Sequence, residues 1–207
     1  MIKNIVFDIG NVILNFNIDK VLNKYTPDKK FRKFIKENII NSPEWLGNAL
    51  IDTGYLKVED AIKIVCDRTN HVNDFIVKDF WTTYINYAFI DDRMLDLLNK
   101  LKVNGYKIYL LSNINPYTYS FIKENSNLFT IVDGYVLSYE VHMVKPYRGI
   151  YEELLKKYSL IPNETLFIDD NARNIKTALS LKIKGIRVRP DNYDDLVNKL
   201  KSNKIEF

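Results

Sequence analysis

Three aspartates close short, largely apolar runs in this chain. Asp8 follows Ile2-Lys3-Asn4-Ile5-Val6-Phe7, and the pair Asp169-Asp170 follows Thr165-Leu166-Phe167-Ile168. Between them, Lys107-Ile108-Tyr109-Leu110-Leu111 ends at Ser112-Asn113. A carboxylate can act as a nucleophile, and neighbouring carboxylates can share a hard divalent cation that relieves their mutual repulsion. A serine hydroxyl and a backbone N–H close to a helix start can hold the oxygens of an anion while charge develops on them. Taken singly, an Asp after a strand is most often a turn former or a helix cap. Three strand ends of this kind in one chain point instead to a shared site.

The elements that must carry these residues are legible from periodicity. Each run is short and β-branched, as expected of a buried strand that stops at a polar loop. Between the runs lie helical patterns. Met94, Leu97, Leu98 and Leu101 repeat on one helical face behind Asp91 as cap, and further helices are expected over about 147–158, 171–181 and 194–200, with a strand over 185–188. Strands alternating with helices predict right-handed βαβ units, hence an α/β, Rossmann-like parallel sheet core. In such a sheet ligands sit outside the carboxyl ends of the strands, which is where Asp8, Ser112-Asn113 and Asp169-Asp170 fall.

Residues 15–86 contain helix starts and no convincing buried strand. Thr26-Pro27-Asp28 and Ser42-Pro43-Glu44 each place a hydroxyl before Pro with an acid after it, a pattern for a capped helix start. The stretch is expected to be an all-helical cap inserted after the first strand, over a core formed by 1–14 and 87–207, with hinges near 14–18 and 86–91. Trp45, Tyr55, Trp81 and Tyr84 are expected to pack its helices, one or two of them lining a chamber.

Bulk composition narrows the function. A chain of 207 residues with 46% hydrophobic content can bury one full core with an insertion. The net charge of +4 is spread without a basic block, which argues against nucleic-acid binding. One cysteine, Cys66, and two histidines, His71 and His142, exclude an internal disulfide and a Cys/His zinc site. Cys66 is expected to be an inert buried hydrophobe, and His142 to lie outside the chemistry. No window of about 18 apolar residues and no export-like leader occur, so a cytoplasmic protein without membrane contact is expected.

Four strings together resemble the haloacid dehalogenase superfamily: Phe7-Asp8-Ile9-Gly10-Asn11-Val12, Leu111-Ser112-Asn113, Lys145-Pro146 and Phe167-Ile168-Asp169-Asp170. They look most like the branch of bacterial sugar-1-phosphate phosphatases and the N-terminal phosphatase domain of soluble epoxide hydrolases. Trp45 and Asp52-Thr53-Gly54 are similar to that branch's cap. The resemblance implies Asp8 as nucleophile on a small phosphorylated metabolite. It implies Ser112, Asn113 and Lys145 as holders of the phosphoryl group, with magnesium on Asp8, the Gly10 carbonyl, Asp169 and Asp170.

One position departs from the family pattern. Its phosphatases usually carry a second Asp two residues after the nucleophile, as acid to the leaving alcohol and then base for water, and here that position is Gly10. Losing a positioned acid typically costs about 10²–10⁴ in rate. Three readings stand: a phosphatase that takes its proton elsewhere, a 2-haloacid dehalogenase, and a non-catalytic phosphate-binding module. Dehalogenases of this superfamily need no metal and lack the adjacent acidic pair, so Asp169-Asp170 favours metal and phosphate.

Overall fold

Alternate residues of the first strand, β1 (Asn4–Phe7), enter opposite hydrophobic clusters: Ile5 and Phe7 on one side, Val6 on the other. A strand buried on both faces must be covered by helices on both, and that sets the layering. The computed structural model describes residues 1–45 and 50–207. The other strands are β2 (Leu14–Asn15), β3 (Phe89–Ile90), β4 (Lys107–Ser112), β5 (Gly134–Leu137), β6 (Thr165–Asp169) and β7 (Lys184–Arg187). Five of them form one parallel sheet in the order β5-β4-β1-β6-β7. The α/β class expected from the sequence is the one observed.

The helices, in chain order, are α1 (Ile18–Tyr25), α2 (Lys29–Ile35), α3 (Val58–Arg68), α4 (Asp74–Thr83), α5 (Asp92–Val103), α6 (Pro116–Asn125), α7 (Leu128–Ile131), α8 (Ser138–Val141), α9 (Arg148–Lys157), α10 (Ala172–Ser180) and α11 (Tyr193–Ser202). Helix α5 buries Met94, Leu97, Leu98 and Leu101 on the Ile5/Phe7 side. Helix α9 buries Ile150, Tyr151 and Leu154 on the Val6 side. Asp91 caps α5 by accepting from the Arg93 N–H, and Asn115 caps α6 by accepting from the Thr118 N–H ahead of Pro116.

Helices α1 to α4 lie between β2 and β3, whose antiparallel pairing joins Leu14 to Ile90 and Asn15 to Phe89. Two expected helix starts are corrected here. The cap of α2 is Asp28, which accepts from the Lys30 and Phe31 N–H groups, because a carboxylate already reaches both donors; Thr26 instead ends α1 and accepts from the Asp28 N–H. Ser42-Pro43-Glu44 lies in a turn, with the Trp45 N–H donating to the Ser42 carbonyl, and Glu44 pairs with Arg68 at 2.9 Å. The sequence reading also omits β5, an edge strand whose first two residues, Gly134 and Tyr135, are only partly buried, so no continuous apolar run marks it.

Candidate active site

Strand register builds the site. Phe7 pairs with Leu110 on one side and with Ile168 on the other. One residue further along, Asp8 emerges beside Leu111 and Asp169, with Ser112 next in line. Asp8 Oδ1 accepts three hydrogen bonds: from its neighbour's Ile9 N–H at 2.7 Å, from Ser112 Oγ at 2.8 Å and from Lys145 Nζ at 2.7 Å. None of these donors falls on Oδ2, so the carboxylate is held rigidly through one oxygen.

Lys145 reaches this point because Asn113 grips its backbone. The Asn113 amide donates to the Lys145 carbonyl at 2.9 Å and accepts from the Lys145 N–H at 2.8 Å. The Lys145 ammonium then bridges Asp8 and Asp169, 2.8 Å from the latter's Oδ2. Asp169 is fully buried, and both its oxygens are occupied: Oδ1 by the Asn171 N–H and Asn174, Oδ2 by Lys145 and Asn174. Asp170 accepts from Asn11 at 3.2 Å, and Asn11 takes a left-handed conformation (φ 58°) that asparagine tolerates better than most residues.

The electrostatics favour a cation. One carboxylate oxygen each from Asp8, Asp169 and Asp170 lies within 4.8 Å of the others. Burial pushes Asp8 up to about 7, and the charge of Asp169 adds to this against the opposing pull of Lys145 and Ser112. Asp170 is raised too, by burial and then by Asp169. Burial alone would depress Lys145, but Asp169 and Asp8 outweigh it and keep it an ammonium. Three carboxylates around one ammonium, among the described residues, leave negative charge that a hard divalent ion with oxygen ligands would neutralise. The residues fit magnesium.

A cavity of about 520 Å³ opens over these strand ends. It is lined at the strand ends by Asp8, Gly10, Asn11, Asn113, Lys145 and Asp170, and further by Trp45, Asp52 and Tyr84 of the 15–86 segment and by Thr118 of α6. Of the four aromatic residues singled out, Trp45 and Tyr84 line the cavity, Trp81 is buried in packing, and Tyr55 is 72% exposed, stacking on His142 rather than packing in the interior. Gly10 has an ordinary negative φ, and a Cβ there would meet nothing within 4 Å. Cys66 is buried, its thiol pushed up to about 11 mainly by burial, so it stays protonated and unreactive. His142 lies away from the cavity and donates from Nδ1 to the Thr53 carbonyl. Sequence reading missed the side chains of Asn113, Asn174, Asn11 and Asp52; three of these stand inside motif strings, but nothing local tells a positioning amide from a cap. Among the described residues no helix is long and apolar enough to cross a membrane.

The profile of the haloacid dehalogenase-like hydrolases matches residues 2–181. The chain belongs to this family. Among haloacid dehalogenase-like hydrolases it is similar to the D-ribitol-5-phosphate phosphatase of Bacteroides thetaiotaomicron, at 30% identity over 94% of this chain and 95% of that protein. A sesquiterpene phosphatase of Aspergillus oryzae is 26% identical over 90% of this chain and 89% of its own length. A family enzyme of Bacteroides thetaiotaomicron, crystallised in complex with magnesium and inorganic phosphate, superposes with a TM-score of 0.75 at 25% identity, covering 95% of this chain and 99% of that one. The L-2-haloacid dehalogenase of Xanthobacter autotrophicus shares the fold, with a TM-score of 0.65 at 18% identity over 100% of this chain and 85% of that one.

Proposed function

We propose that the protein is a magnesium-dependent phosphatase of small phosphorylated metabolites, sugar phosphates among them, acting through an aspartyl-phosphate on Asp8. The observation that carries this is the fixing of Asp8 through Oδ1 alone, inside a cluster of three carboxylates of which Asp8 and Asp170 line the cavity. The two phosphatase relatives and the magnesium and phosphate complex of a related enzyme support it.

Asp8 Oδ2 attacks phosphorus while the ester P–O bond breaks, and the departing oxygen keeps the electron pair and takes up a proton from water. Water then attacks the aspartyl-phosphate, releasing inorganic phosphate and restoring the carboxylate. Lys145 neutralises the nucleophile and the incoming phosphoryl group together, the Asn113 N–H donates a hydrogen bond to a phosphoryl oxygen as charge develops on it, and the Ser112 hydroxyl, which donates to Asp8 Oδ1 without substrate, turns its hydrogen to a phosphoryl oxygen. Asp8, the Gly10 carbonyl and Asp170 would hold magnesium, with Asp169 beside them anchoring Lys145. When bound, the cation lowers the repulsion between the carboxylate and a dianionic substrate. Gly10 provides no acid for the leaving oxygen, so esters with stabilised leaving groups are favoured.

The test is hydrolysis of p-nitrophenyl phosphate and a panel of phosphorylated metabolites with magnesium, in wild type and Asp8→Asn. The variant is nearly isosteric and should retain its fold while losing turnover. More than a few per cent of residual turnover removes Asp8 from its role. Binding of phosphate and magnesium without turnover in wild type makes the protein a binding module, and halide release from 2-chloropropionate without metal makes it a dehalogenase.

A further inference from the structure

One half-buried carboxylate lies beside the site without entering its chemistry. Asp191 stands in the loop between β7 and α11, directly after Pro190, which lines the cavity. The loop is pinned at three points. The Val188 N–H donates to the Asp169 carbonyl at 3.0 Å, the Arg189 N–H donates to the Asp195 carboxylate at 2.8 Å, and Asn192 caps α11 by accepting from the Asp195 N–H at 2.9 Å. Asp191 itself takes a left-handed conformation (φ 51°), which aspartate tolerates better than most residues. It therefore occupies a fixed point of the sheet core.

From that point Asp191 grips the chain twice. Its N–H donates to the Asn11 carbonyl at 2.8 Å, and its Oδ1 accepts from the Phe16 N–H at 3.2 Å. Asn11 belongs to the loop that follows Asp8, and its side chain donates to Asp170. Phe16 is the first residue past β2, one of the two paired strands between which α1 to α4 are inserted. Phe16, Asn17 and Ile18 all line the cavity, and the Phe16 ring meets Tyr84 edge-on with centroids 5.7 Å apart. A single residue thus ties the nucleophile loop and the entry to the helical segment to one anchor.

Burial raises the Asp191 carboxyl, and the Phe16 N–H and the charge of Lys20 oppose this without cancelling it. Its charge therefore adds nothing to folding, and what the side chain supplies is an acceptor aimed at Phe16. We infer that Asp191 is a positioning residue: by holding the Phe16 N–H it fixes the hinge of the helical segment relative to the nucleophile loop, so that the Phe16 side of the cavity closes on a bound phosphate ester in reactive alignment. This inference rests on the phosphatase activity proposed above.

Two substitutions isolate the acceptor. Glycine suits the left-handed backbone and keeps the N–H that binds Asn11, but has no side-chain oxygen; asparagine keeps both the backbone and the oxygen. The test measures hydrolysis of p-nitrophenyl phosphate with magnesium in wild type, Asp191→Gly and Asp191→Asn, beside thermal unfolding and the affinity for inorganic phosphate in the presence of magnesium. Asp191→Gly should lower kcat/KM by about tenfold or more, because small misplacements of elements around a substrate carry large rate costs. A rise in KM should be the larger part of the loss, and phosphate should bind more weakly by a similar factor. Asp191→Asn should recover most of both. The magnesium concentration for half-maximal activity should stay at its wild-type value in each variant, since the grip on Asn11 is retained. Wild-type kcat/KM and phosphate affinity in Asp191→Gly, or an Asp191→Gly chain unfolded at the assay temperature, would make Asp191 purely structural and overturn the inference. Asp191→Asn as impaired as Asp191→Gly, or a shifted magnesium requirement, would assign the effect to charge or to the metal loop and overturn it too. Failure of wild type on the ester would bring down the phosphatase reading instead, and the hinge role would then stand or fall on whether Asp191→Gly, but not Asp191→Asn, weakens phosphate binding.

Discussion

Lys145 Nζ lies 2.7 Å from Asp8 Oδ1, with 1% of the lysine side chain exposed. The same ammonium binds Asp169, so a single cation holds two buried carboxylates. Removing one partner of a buried ion pair leaves uncompensated charge and typically costs about 3–5 kcal/mol. Lys145→Met should therefore destabilise the magnesium-free protein by roughly that amount, and added magnesium should recover part of it. Turnover should fall by about 10²–10³-fold or more, because the group neutralising the phosphoryl charge is gone. Denaturant unfolding with and without magnesium, beside a turnover assay, checks both parts.

Asp170 and Ser112 should separate metal binding from positioning. Asp170 offers a hard anionic ligand, whereas Ser112 donates to Asp8 and carries no charge. Asp170→Ala should raise the magnesium concentration for half-maximal activity far more than Ser112→Ala does, and Ser112→Ala should lower the maximal rate. A titration of activity against magnesium in both variants decides it; equal shifts would mean that Asp170 is not a ligand.

Gly10 has room for a side chain and no backbone conformation that requires glycine. Gly10→Asp should restore a carboxylic acid near the leaving oxygen and raise hydrolysis of alkyl phosphates by up to about a hundredfold. Hydrolysis of p-nitrophenyl phosphate, whose oxygen departs readily as an anion, should change much less. The ratio of the two rates within each protein is the measurement, and an unchanged ratio would show that proton supply does not limit the reaction.

Asp133 supplies a pH-dependent part of the fold's stability. Burial alone would raise it, but the Ile108 N–H at 2.9 Å and the ammonium groups of Lys102 and Lys107 outweigh burial and hold it below its usual 3.8. A depressed carboxylate contributes stability above its unfolded pKa and loses it as pH falls through the folded value. Asp133→Asn should cost about 1–2 kcal/mol at pH 7, and the gap to wild type should close below about pH 3.8. Chemical denaturation at pH 7 and pH 3 tests this; a gap that does not narrow on acidification rules the charge out as its source.

The sequence by itself determined the strands and most of the helices that carry the site, because those signals are local. Ile5, Val6 and Phe7 alternate between two cores, and a residue following such a strand must emerge at its end, so the positions of Asp8, Ser112 and Asp169 were legible. The helix start at Asp91 was legible for the same reason, since a capping side chain satisfies an N–H group two residues away. Position 10 was equally plain as a missing acid.

Only the tertiary structure decided which side chains hold those groups in place and which line the cavity. Asn113 grips Lys145 across 32 residues of sequence, and Lys145 meets Asp169 across 24. No periodicity marks contacts that form when loops from separate strands close over one another. Asp52-Thr53-Gly54 reads from sequence as a stretch similar to the family branch's cap, and only the fold puts Asp52 on the cavity lining, beside a Thr53 carbonyl that accepts from His142, 89 residues away. The pattern of apolar residues specifies elements through local backbone and burial preferences, whereas the partners of buried polar groups are set by packing between segments far apart in the chain.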